Sequence, residues 1–128
     1  MKHKTIIIID DDPDDRDMFC EAVGLIEHTC KCEMKQSCEE ALNYLKKTAA
    51  KPDYIFLDIN MPRLNGLQCL QRLKQDAELK EIPVIIYSTS SNKKEIDAML
   101  KAGASSYIVK PDSYNKLSAI LLKFLSDN

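Results

Sequence analysis

Five of the six residues from Asp10 to Asp15 are aspartates, and they follow directly on Ile6-Ile7-Ile8-Ile9. Carboxylates crowded this closely repel one another, so a chain that gathers them usually has a cation to neutralise them, and hard oxygen donors suit a divalent metal. Three more groups with chemical capacity each end a short apolar run: Asp58 after Tyr54-Ile55-Phe56-Leu57, Ser88 after Val84-Ile85-Ile86-Tyr87, and Lys110 after Tyr107-Ile108-Val109. Each has an ordinary explanation when taken alone. Asp58 could cap a loop, Ser88 could bond a turn, and Lys110 could be a solvated side chain. Together, carboxylates, a hydroxyl and an amine ending four apolar runs point to one shared site.

Such a site requires a sheet whose strands all deliver their carboxyl ends to one edge. Four consecutive β-branched residues read as a strand buried on both faces, and open parallel sheets place ligands beyond the carboxyl ends of their strands. Short apolar runs alternate with helical patterns about 10 to 15 residues long, the signature of repeated βαβ units. Five pairs can be placed. Strands are expected at 4–10, 31–36, 54–57, 84–87 and 107–109. Asp12-Pro13 opens the first helix, with Asp12 as N-cap and proline in the first turn. Met18, Phe19, Ala22, Val23 and Ile26 form its buried stripe. Ala41, Leu42 and Leu45 mark the second helix. Leu67, Leu70 and Leu73 mark the third, after the loop Asn60-Met61-Pro62-Arg63-Leu64-Asn65-Gly66. Ile96, Met99 and Leu100 face inward from the fourth helix, which Gly103 closes. Leu117, Ile120, Leu121, Phe124 and Leu125 bury the last.

At 128 residues the chain suits one domain with a real core. A net charge of −2 gives no electrostatic preference for nucleic acid. The apolar run near the start is far too short for a signal peptide or membrane span, so a cytoplasmic protein without membrane contact is expected. Cys20, Cys30, Cys32, Cys38 and Cys69 are an odd set without CxxC pairs. They suggest neither a disulfide framework nor a zinc site, and they read as reduced filler thiols.

Four blocks also carry a family resemblance. Ile6-Ile7-Ile8-Ile9-Asp10-Asp11-Asp12-Pro13, Phe56-Leu57-Asp58-Ile59-Asn60-Met61-Pro62 with Gly66, Pro83-Val84-Ile85-Ile86-Tyr87-Ser88, and Gly103 to Pro111 closely resemble the receiver domain of two-component response regulators. The resemblance spans nearly the whole chain. It implies an α/β flavodoxin-like (βα)5 fold, a doubly wound parallel sheet in the order 2-1-3-4-5. It also implies a single receiver domain over 1–128 with no output domain. Such a stand-alone regulator is similar to the chemotaxis regulator and to the small partners of phytochrome-type kinases.

Carried over residue by residue, the resemblance makes Asp58 the nucleophile that takes a phosphoryl group from a histidine kinase or phosphotransfer protein. Asp10 and Asp11 become the acidic pair, with Asp11 the direct Mg²⁺ ligand and Asp10 acting largely through water. Asp58 and the backbone carbonyl of Asn60 complete the protein ligands, and Mn²⁺ is an alternative ion. Lys110 and Ser88 address the charge on the transferring phosphoryl oxygens. Ser88 and Tyr107 form the switch that alters the surface offered to a downstream protein target. Lys110-Pro111 is implied to be a cis peptide, and the domain a monomer or weak homodimer. A carboxylate is already ionised at neutral pH, so Asp58 needs no general base. The protein is then a signalling switch rather than an enzyme, catalysing only its own phosphotransfer and autodephosphorylation.

Two other classes compete. Asp10-Asp11-Asp12 contains the D-x-D of haloacid-dehalogenase-like phosphatases, in which Asp10 would be the nucleophile. Those enzymes need a further acidic pair downstream of the lysine, and only Asp112 and Asp127 follow Lys110-Pro111. A receiver-like adaptor that works without phosphorylation usually lacks the acceptor or the acidic pair, and all three residues are present. A flavin-binding flavodoxin is excluded, because its phosphate cradle uses Gly, Ser and Thr amides rather than carboxylates.

Overall fold

Ile6 to Ile9 lie in the first strand, β1 (Thr5–Ile9), and all four are buried. A computed structural model describes residues 4–26, 30–59 and 66–125. Within them β1 is followed by α1 (Pro13–Ile26), β2 (Lys31–Lys35), α2 (Cys38–Lys47), β3 (Tyr54–Leu57) and α3 (Gly66–Gln75). The chain continues through β4 (Val84–Ser88), α4 (Lys93–Lys101), β5 (Ser106–Val109) and α5 (Tyr114–Leu125). The sheet is parallel throughout, in the order β2-β1-β3-β4-β5 expected from the resemblance.

Period-two alternation divides the core between the two faces of the sheet. Ile7, Ile9, Ile55, Leu57, Val84 and Ile86 meet Ala41, Leu45, Leu70, Leu73 and Met99 from α2, α3 and α4. Ile6, Ile8, Phe56, Ile85, Tyr87 and Ile108 meet Phe19, Val23, Leu117 and Leu121 from α1 and α5. Phe19 sets its ring centroid 4.9 Å from that of Phe56 in a tilted contact and 5.4 Å from that of Tyr87 in an edge-on one, both favourable for aromatic rings. Burial of each large apolar side chain contributes about 1.5–3 kcal/mol, so the two layers hold the sheet edge in place under the polar groups.

Local signals set the ends of the helices. Asp12 accepts from the backbone N–H of Asp14 at 2.9 Å and of Asp15 at 3.4 Å, capping α1 as expected. Gly103 adopts φ 111° just after α4, a left-handed turn that glycine enters without a Cβ penalty.

Three expectations are corrected. Cys20 is bonded to Cys32 and Cys38 to Cys69, rather than all the thiols being reduced filler. Folding brings α1 against β2 and α2 against α3, with Cα separations of 5.6 and 5.9 Å, inside the reach of a disulfide. The peptide bonds among the described residues are all trans, Lys110–Pro111 included, in line with the trans preference that proline weakens but does not abolish. Leu100 is 43% exposed instead of facing inward. Its neighbour Met99 takes the buried position, and successive helical side chains lie about 100° apart, so one narrow contact with the sheet cannot hold both.

Candidate functional site

Asp10, Asp58 and Ser88 are the buried polar or charged residues among those described, at 0%, 5% and 0% exposure. Each stands at or just beyond the carboxyl end of a strand, β1, β3 and β4 respectively. Backbone bonds carry the sheet register past the strands: Asp10 N–H donates to Lys35 O at 3.0 Å, Asp58 N–H to Ile9 O at 2.9 Å, and Lys110 N–H to Ser88 O at 2.7 Å. The same ladder that pairs the apolar strands therefore brings the polar groups to one edge.

Asp10, Asp58 and Lys110 share the parity of the strand residues that face α1 and α5, and their side chains converge. The Lys110 ammonium donates to Asp10 Oδ2 at 2.8 Å and approaches Asp58 Oδ2 at 3.4 Å. It also donates to Asp15 Oδ2 at 2.8 Å, from the first turn of α1. Burial pushes the lysine pKa down, but the hydrogen bonds to Asp10 and Asp15 and the charge of Asp58 outweigh it and leave the ammonium held well above the ordinary lysine range. The ammonium also lies 5.5 Å from the Tyr87 ring centroid, a cation–π contact. Burial raises the Tyr87 phenol to about 12, partly opposed by the charge of Lys110.

Asp10, Asp11 and Asp58 each offer a carboxylate oxygen within 4.8 Å of the others. Exposed Asp11 and the two buried acids can close around one ion, and an all-oxygen set suits a hard divalent cation. Asp10 Oδ1 is steadied by the Asp12 N–H at 3.0 Å, and the Asp10 carbonyl accepts from Arg16 Nη1 at 2.7 Å. Asn60, the expected carbonyl ligand, lies outside the described residues.

Beside this cluster, Ser88 Oγ accepts from the N–H of Ser90 at 3.2 Å. Tyr107, half-buried, packs its ring against the apolar layer beneath α2, α3 and α4, and its hydroxyl donates to the Ser90 carbonyl at 2.8 Å. The loop after β4 is thereby joined to both Ser88 and β5. Gly66 has a separate packing role. Its N–H donates to Ile59 O at 3.3 Å, and a Cβ at this position would collide with the Ile59 backbone and side chain. The start of α3 can therefore lie directly against the residue that follows Asp58.

Asp15 and Tyr87 are contributions that reading along the chain did not reveal. Asp15 carries the ordinary signature of a first-turn acid favoured by the helix dipole, and its partner is 95 residues away. Among the described residues, no helix is long and apolar enough to cross a membrane.

Comparison with known proteins agrees with this geometry. The family model described as the response regulator receiver domain matches residues 6–122. The probable C4-dicarboxylate response regulator DctR of Bacillus subtilis is 28% identical over 123 residues, 96% of this chain and 53% of that protein. Protein PilH of Pseudomonas aeruginosa is 32% identical over 106 residues, 83% of this chain and 84% of that one. The phosphorylated cyanobacterial phytochrome response regulator RcpA superposes with a TM-score of 0.87 at 30% identity, covering 96% of this chain and 91% of the other. The chain spans about half the length of DctR and of the phosphate regulon transcriptional regulatory protein PhoB of Pseudomonas aeruginosa. Since the family match takes in all five strand ends and the cluster that Lys110 draws together, the chain belongs to the receiver domains of response regulators.

Proposed function

We propose that this chain is a response-regulator receiver domain that accepts a phosphoryl group on Asp58 in a Mg²⁺-dependent reaction and changes the protein surface it offers a partner. The observation that carries this reading is the approach of the Lys110 ammonium to a buried Asp58, 3.4 Å from Oδ2, beside two further acids suited to a cation. A carboxylate sealed from water on one side and faced by a fixed positive charge can receive an anionic group without rearranging its surroundings.

In the transfer step an Asp58 oxygen attacks phosphorus as the P–N bond of a phosphohistidine breaks. The bonding electrons leave with the imidazole nitrogen, which then takes a proton from solvent. Lys110 donates to a phosphoryl oxygen, and the Ser88 hydroxyl donates to another. Asp10, Asp11, Asp58 and the carbonyl of Asn60 would hold Mg²⁺, or Mn²⁺ in its place. The bound ion supplies charge that offsets the carboxylates and the phosphoryl oxygens.

The added group brings about −1.5 to −2 of charge and new acceptor oxygens. Ser88 moving towards them would pull on Ser90, whose carbonyl already holds the Tyr107 hydroxyl. Phosphorylation would thereby bias the inward setting of Tyr107 and the surface around β5. On this reading the protein is a cytoplasmic switch placed between a histidine kinase or phosphotransfer protein and a downstream protein, and the only chemistry it catalyses is on itself.

The test is incubation with acetyl phosphate and millimolar Mg²⁺, followed by mass spectrometry of the intact protein and its peptides. Addition of one phosphoryl group, mapped to Asp58 and lost in Asp58→Asn, is the expected result. A phosphoryl group on Asp10 would move the chain to the phosphatase class. Failure of the wild-type protein to incorporate phosphate from any donor would favour a phosphorylation-independent adaptor.

A further inference from the structure

Lys110 has three ammonium protons and three carboxylate partners, at 2.8 Å from Asp10, 2.8 Å from Asp15 and 3.4 Å from Asp58. The proposed phosphoryl acceptor therefore has the longest of the three contacts. Asp10 is fully buried and also takes the Asp12 N–H, so giving up the ammonium would strand a charge away from water. The Asp15 side chain is 31% exposed and can regain hydration if the ammonium leaves. Its position is set by the start of α1, where Asp12 caps the Asp15 N–H at 3.4 Å. The helix thus delivers a replaceable anion to a lysine that is otherwise committed to the site.

We propose that Asp15 is a positioning residue for Lys110, holding part of its ammonium in reserve and yielding it when Asp58 carries a phosphoryl group. This inference rests on the phosphorylation of Asp58 proposed above. Loss of the Asp15 charge leaves Lys110 freer to meet the phosphoryl oxygens, so Asp15→Asn should favour the phosphorylated form. A partly exposed ion pair sets the scale of the gain at about two- to fivefold.

The experiment uses beryllofluoride, a non-covalent mimic of the phosphoryl group, titrated at saturating Mg²⁺ into the full chain and followed by two-dimensional NMR. Asp15→Asn is expected to bind about two- to fivefold more tightly than wild type, and Asp15→Glu to restore wild-type affinity. In a Lys110→Ala background, Asp15→Asn is expected to have no effect. Unchanged affinity in Asp15→Asn, or an equal gain without Lys110, overturns the inference, because a merely helix-stabilising acid would change the melting temperature and not this affinity. If wild type incorporates phosphate at Asp58 while Asp15→Asn behaves identically, the failure belongs to Asp15 alone. If wild type neither binds beryllofluoride nor incorporates phosphate, the phosphorylation reading falls and this inference falls with it.

Discussion

Replacing Lys110 by methionine keeps an unbranched side chain of similar reach without the terminal ammonium, so it isolates what the ammonium contributes to folding. The Lys110 side chain is 10% exposed, and its partner Asp10 is fully buried. Asp58 stays nearly as enclosed, so Lys110→Met leaves two carboxylates in low dielectric with one hydrogen-bond donor removed from each. Removing one member of a buried pair costs about 3–5 kcal/mol, and the partial exposure of Asp15 argues for the lower end, about 3 kcal/mol. For a domain of this size that corresponds to a fall in melting temperature of about 10 °C. The assay is thermal and urea unfolding followed by circular dichroism at pH 7 in chelated buffer, repeated in millimolar Mg²⁺. The deficit should shrink in Mg²⁺, because a cation held by Asp10, Asp11 and Asp58 replaces part of the missing charge. A variant within about 0.5 kcal/mol of wild type, the scatter of ordinary surface changes, would refute the reasoning that Lys110 neutralises the buried acids. So would a deficit that Mg²⁺ leaves untouched.

Two further outcomes follow from the same geometry. Tyr87, raised to about 12, and Lys110, also raised, both favour their protonated forms in the folded state. Their stabilising contribution is complete below their unfolded values of about 10 and is lost as pH rises through the folded ones. Urea unfolding from pH 8 to 11 should therefore show stability falling above about pH 10, less steeply in Tyr87→Phe. An identical slope in that variant would exclude Tyr87 as a source. Gly66→Ala should cost about 1–3 kcal/mol by forcing α3 away from Ile59, and it should slow phosphate uptake at the adjoining Asp58. Wild-type stability with wild-type uptake would show that the contact is easily relieved.

Much of the fold was legible because its signals are local. Ile6 to Ile9 encode a strand buried on both faces through β-branching and hydrophobicity, without help from distant residues. Asp12 as a cap and Gly103 as a helix stop are equally local, and both stand in the structure as read. That Asp10, Asp58 and Ser88 end apolar strands was legible in the same way, from residue type and order along the chain. Two of the misreadings fall where two elements meet. Leu100 fits the helical pattern, yet α4 has room at the sheet for Met99 and not for its neighbour. The bonded pairs Cys20–Cys32 and Cys38–Cys69 are separated by 12 and 31 residues, and spacing carries no information about which helix face meets which strand.

The opening run of aspartates draws the same division. By itself the sequence determined that carboxylates, a hydroxyl and an amine end the strands, because residue type and period-two alternation are properties of each segment alone. It did not determine how the acids share their counter-charge. That depended on the angle at which α1 leaves β1 and on where β5 ends, which together put the Lys110 ammonium equally close to Asp10 and Asp15 and farther from Asp58. Coulomb energy varies inversely with distance and steeply with burial, so tertiary packing alone could rank the partners of one lysine.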